Sequence, residues 1–100
     1  MQPTIGRIVH YTLNESDAEA INKRRGDFVR HRRTEGYADT GYVAHYGNPT
    51  RAGEVYPALI VRARGDLVNL KVQLDGTDEY WATSRSEGDG AGFWNWPPRS

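Results

Sequence analysis

One hundred residues suffice for one domain around a single modest core. Thirteen basic side chains cancel thirteen acidic ones, which argues against a protein sheathed everywhere in positive charge for nucleic acid. With no cysteine there is no disulfide framework, thiolate nucleophile or thiolate-bound zinc.

The core must be economical, because only 37% of the residues are hydrophobic and mean hydropathy is −0.78. Eleven aromatic rings, each able to bury ~150–250 Å², make up part of the deficit. No apolar run approaches the ~20 residues of a membrane span, and the N-terminus lacks the apolar region of a signal peptide. The expected compartment is a reducing cytoplasm, which makes the Asn14-Glu15-Ser16 glycosylation sequon incidental.

In chain order, Ile5 to Tyr11 reads as a first strand on its β-branched content. A helix follows. Ser16-x-x-Glu19 has the form of a capping box, and Asp17 and Glu19 place negative charge in the first turn. Ala18, Ile21, Arg25 and Phe28 recur at helical spacing, a thin stripe that includes one arginine. Gly26 predicts a kink, or a helix end with a looser second half. Six of the thirteen basic residues, Lys23, Arg24, Arg25, Arg30, Arg32 and Arg33, fall in this stretch. Tyr37 to Gly53 reads mostly as loop, with Tyr42 to Tyr46 as a short strand.

The strongest pattern runs from Glu54 to Trp81. Ala58 to Val61 is the longest apolar run, and Val68, Leu70, Val72 and Leu74 then alternate with Asn69, Lys71 and Gln73. This predicts a strand pair turned by Arg64-Gly65-Asp66, with Asp75-Gly76 ending the second strand where positive φ is wanted. Glu79 to Ser84 reads as another strand, Ser86 to Gly92 as a loop, and Phe93 to Trp96 as a closing segment before Pro97-Pro98.

The expected fold is mainly β with one helix: a small SH3-like barrel of about five strands, with a helical insertion after the first strand. An open sheet carrying the helix is the alternative. The chain is one domain, 1–100, with residues 12–53 as helix plus variable loop and 54–98 as the central strands.

The blocks IGRIVHY, LNESDAEAINKRR, AGEVYPALIV, LKVQLDGTDEYWATS and GFWNWPP, in that order, resemble a family of small proteins encoded by bacteriophages and prophages, especially of actinobacteria. The family pattern is G-R-x-V-H-Y, D-A-x-x-I-N-x-R-R, Y-P-x-x-I-V, L-D-G-x-D-x-Y-W-x-T-S and W-H-W-P. The likeness covers nearly all of the chain except about 26–48, and Asn95 replaces the histidine of the last motif. It implies a phage gene product acting inside the infected bacterial cell, and it supplies context without chemistry.

The candidate ligand-binding residues are Asn22, Arg24, Arg25, Tyr80, Trp81, Arg85 and Trp96. Arginines suit bidentate recognition of planar anions, and the rings could stack a base. The plainer alternatives are a solvated helix face and, for Trp81 and Trp94, the core. An arginine on the apolar stripe would be partly buried and would need an anionic partner. His10, His31 and His45 lack metal spacing, Ser84 and Ser86 lack a nucleophile elbow, and Asp75, Asp78 and Glu79 lack a calcium-loop pattern.

No catalytic residue, metal or cofactor is expected. The leading expectation is a non-enzymatic binding protein, a homo-oligomer that sequesters a nucleotide signal of host defence. An adapter or inhibitor of a host or phage protein comes second, and a nucleic-acid-binding module third.

Overall fold

A computed structural model describes residues 2–35 and 47–98. The order of elements is β1 (Ile8–Thr12), α1 (Glu15–Glu35), β2 (Val55–Arg64), β3 (Leu67–Gln73), β4 (Glu79–Arg85) and β5 (Trp94–Asn95). The strands form one five-stranded antiparallel sheet in the order β4-β3-β2-β1-β5. The mainly β fold, with one helix after the first strand, is thus the one expected.

Closure into a barrel is not seen. β4 and β5 share no ladder; the sheet edges are joined where the chain beyond β4 bridges Glu87 to Trp94, and where the Trp94 indole N–H donates to Arg85 O at 3.1 Å. There Trp94 N donates to Ser86 O at 3.1 Å and Gly88 N to Trp94 O at 2.9 Å. The expected strand Tyr42–Tyr46 lies outside the described residues, as do the side chains of Arg30, Arg32 and Arg33.

One sheet face is the core. Val9, Tyr11, Ala58, Ile60, Val68, Leu70, Val72, Ala82 and Trp94 are almost wholly buried there, together with Leu13, Ala18 and Ile21 from the connection and the helix. The β2–β3 turn is the two residues Gly65 and Asp66. Gly65, at φ 61°, satisfies the positive φ that a II′ hairpin loop needs at its first position. Gly76 does not take positive φ; its N–H instead donates to Leu74 O at 2.9 Å.

The helix differs from expectation at its start, and it does not end at Gly26. Its cap is Asn14, not Ser16: Asp17 N donates to Asn14 Oδ1 at 2.8 Å, and Asn14 N to Asp17 Oδ2 at 3.0 Å, a reciprocal box shifted two residues upstream. Asn and Asp fill the cap and third positions as Ser and Glu would, so two overlapping boxes compete in the sequence. Gly26 does not interrupt α1, which runs 21 residues through it.

Candidate functional site

The thin stripe Ala18, Ile21, Arg25, Phe28 is the buried face of α1, as its spacing predicts. Three small or apolar groups hold a 21-residue helix weakly, and two buried carboxylates supply the rest. Asp78, in the β3–β4 connection, has a side chain only 3% exposed and accepts from Arg24 Nη2 and Arg25 Nη2, both at 2.9 Å. Arg24 Nη2 also reaches Glu79 O at 3.0 Å, and Arg25 Nη1 donates to Asn48 O. Burial alone would raise the Asp78 pKa. The hydrogen bonds and charges of Arg25 and Arg24 outweigh it and hold the carboxyl below its usual range.

Asp17 is the second anchor. It accepts from Arg85 Nη2 at 3.0 Å and from the Tyr11 hydroxyl at 2.5 Å, tying α1 to both β4 and β1. The Arg85 guanidinium lies 5.7 Å from the Tyr11 ring centroid. Burial first, and the hydrogen bond to Asp17 second, push the phenols of Tyr11 and Tyr80 upward in pKa. The Nε atoms of Arg24, Arg25 and Arg85 are buried without an acceptor, so these clamps fix geometry at a desolvation cost.

The sheet therefore divides the residues expected to act together. Arg24, Arg25 and Arg85 are engaged by internal carboxylates on the helix side and present no fork to a phosphate. Asn22 is occupied too: its Nδ2 donates to Thr50 O at 2.8 Å and its Oδ1 accepts from Thr50 N at 2.9 Å, which pins the chain leading into β2. Tyr80 faces the core, and half-buried Trp96 packs edge-on against Trp94, with centroids 5.4 Å apart. Trp81, for which the core was the plainer alternative, is 59% exposed on the opposite face, because strand alternation sends neighbouring Tyr80 and Trp81 to opposite sides.

On that outward face the structure assembles a different constellation. Arg62, Arg64, Leu67, Asn69 and Ser84 line an open cavity of about 280 Å³ at the hairpin end of β2 and β3. Two bulges put them there. Between Ile60 and Arg62, β2 advances two residues while β3 advances one; between Ala82 and Arg85, β4 advances three while β3 advances two. Strict alternation from buried Ile60 would turn Arg62 and Arg64 inward. The extra residue instead pairs Arg62 with outward Asn69 and Arg64 with outward Leu67.

The second bulge does the same for Ser84 and at once turns Arg85 inward to reach Asp17. Ser84 is the one described non-glycine residue with positive φ, 56°, a conformation costing about 1–3 kcal/mol. Its N–H donates to Asn69 Oδ1 at 2.8 Å. With that oxygen engaged, the cavity is lined by donors: two guanidiniums, the Asn69 amide nitrogen and the Ser84 hydroxyl, with no carboxylate among the lining residues. Among the described residues, neither Arg62 nor Arg64 has an ion-pair or hydrogen-bond partner, in contrast to Arg24, Arg25 and Arg85.

The sequence reading missed Arg62, Arg64, Asn69 and Ser84, because a bulge leaves no signature in a period-two pattern. Five arginines within ten residues of helix, Arg24 to Arg33, also drew attention away from two in a strand. Among the described residues no group of three or more His, Asp or Glu could hold a metal ion, and no helix is long and apolar enough to cross a membrane. The chain matches no protein-family model, curated protein or solved structure.

Proposed function

We propose that this chain is a non-enzymatic binding protein that captures a phosphate-bearing anion on the outward face of its sheet, in the cavity of Arg62, Arg64, Asn69 and Ser84. The observation that carries this reading is the pair of guanidiniums with no internal carboxylate, turned outward by a bulge beside a strained serine. Bulges re-aim side chains next to binding sites, and planar guanidinium forks match phosphate oxygens. A lining of donors without a base suits holding an anion rather than activating a nucleophile on it. In the phage setting that the sequence resemblance implies, capture without turnover is in keeping with an anti-defence role.

Titration calorimetry with inorganic pyrophosphate tests it. The native chain should bind, and the doubly substituted Arg62→Glu, Arg64→Glu chain should lose binding while melting at the native temperature. Equal affinity in the two would overturn the assignment.

A protein partner is the second reading. It is favoured by Ile8 and Leu59, directly paired across β1 and β2 on the same outward face and 59% and 36% exposed, with Val55 nearby at 54%. A single stoichiometric protein recovered from host lysate, and lost on Ile8→Ser, would support it.

A further inference from the structure

Register places one more group beside the anion cavity. Trp81 pairs with Lys71, and Asn69, whose side chain holds the Ser84 N–H, stands two residues from Lys71 along β3. Two residues of strand cover about 7 Å and return to the same face, so an exposed indole lies one outward step from the donors. The indole contributes nothing to the core: it is 59% exposed, and the buried tryptophan is Trp94. Beside it, the Lys71 ammonium pairs with Glu79 at 3.8 Å, both of them exposed.

From this geometry we infer that the cavity takes the phosphate of a nucleotide whose base stacks on Trp81. The inference rests on the anion-binding reading above and adds to it the class of ligand. Arg62 and Arg64 meet the phosphate oxygens, with Asn69 Nδ2 and the Ser84 hydroxyl as further donors. The base reaches back along the sheet onto the indole face, and Leu67 offers an apolar wall at the opposite end. One base and one phosphate, about a strand step apart, are common to a free nucleotide and to one unit of a single strand. Stacking on an aromatic ring tolerates any base, so the site selects the class and not the sequence.

Calorimetry comparing ADP with inorganic pyrophosphate isolates the added nucleoside at matched phosphate chemistry. ADP should bind about tenfold or more tightly than pyrophosphate. Trp81→Ala should erase that difference and leave pyrophosphate affinity unchanged; because the ring is exposed, the variant keeps its fold.

Equal affinity of the native chain for ADP and pyrophosphate overturns the nucleotide assignment and leaves the anion site standing. Failure of both to bind overturns both. A ten-nucleotide oligothymidylate assigns the source: binding tighter than ADP, with a steep salt dependence, points to a single strand, and weaker binding points to a free nucleotide. Either result upholds a base and a phosphate as the ligand.

Discussion

Two sets of arginines share this small chain, and the fold sets them in opposite surroundings. Arg24, Arg25 and Arg85 sit on the helix side of the sheet, each held at 2.9–3.0 Å by a carboxylate that is itself 1–3% exposed. Arg62 and Arg64 sit on the outward side around an open cavity, with no carboxylate among its lining residues. The lesson is that a run of positive charge does not locate a binding surface. What locates it is positive charge left unmatched by the fold, and an arginine on a helix's apolar stripe is already accounted for once a buried Asp is found opposite.

The comparison breaks most visibly at Asp78. Asp78→Ala leaves Arg25, 7% exposed, without its counter-charge and releases Arg24 as well. Removing one partner of a buried pair costs about 3–5 kcal/mol, so thermal denaturation should show a fall in Tm of more than about 10 °C. A loss under ~1 kcal/mol would mean that the clamp is as dispensable as a surface pair. By the same argument, Arg24→Glu with Arg25→Glu should unfold the chain, because it sets two carboxylates against a third.

Acid sharpens the same contrast. The folded Asp78 carboxyl has a pKa below that of an ordinary aspartate, so its stabilisation is fully present above the ordinary value and is lost as pH falls through the depressed folded one. Urea midpoints measured from pH 6 down to pH 2 should decline along this limb in the native chain, and the decline should be shallower in Asp78→Asn. Parallel curves in the two would assign acid sensitivity to other carboxylates.

Much of the fold was legible because apolar spacing is a direct imprint of burial. Val68, Leu70, Val72 and Leu74 alternate as read, and Ala18, Ile21, Arg25 and Phe28 mark the helix face as read. The cap was misplaced because Asn14-x-x-Asp17 and Ser16-x-x-Glu19 both have the form of a box; the burial of Asp17 against Tyr11 and Arg85, a long-range fact, decides between them. The candidate site was legible only in kind. The proposed site uses residue types that the sequence singles out, arginine and tryptophan, but the two bulges that set their faces depend on cross-strand register, which no single strand carries. Trp81 was named, while its companions across the sheet were not.

The smallest stability effect completes the comparison. Arg62→Gln with Arg64→Gln removes two charges that touch no carboxylate among the described residues, keeps comparable stems against the sheet, and leaves both bulges in place. The denaturation midpoint should stay within about 0.5 kcal/mol of the native value, as for surface positions away from any network. Pyrophosphate affinity should nevertheless fall at least about tenfold, because two charge-assisted contacts become neutral ones. A loss of more than about 1 kcal/mol would show that the hairpin arginines also support the fold, and the distinction between matched and unmatched guanidiniums would then fail at its outward end.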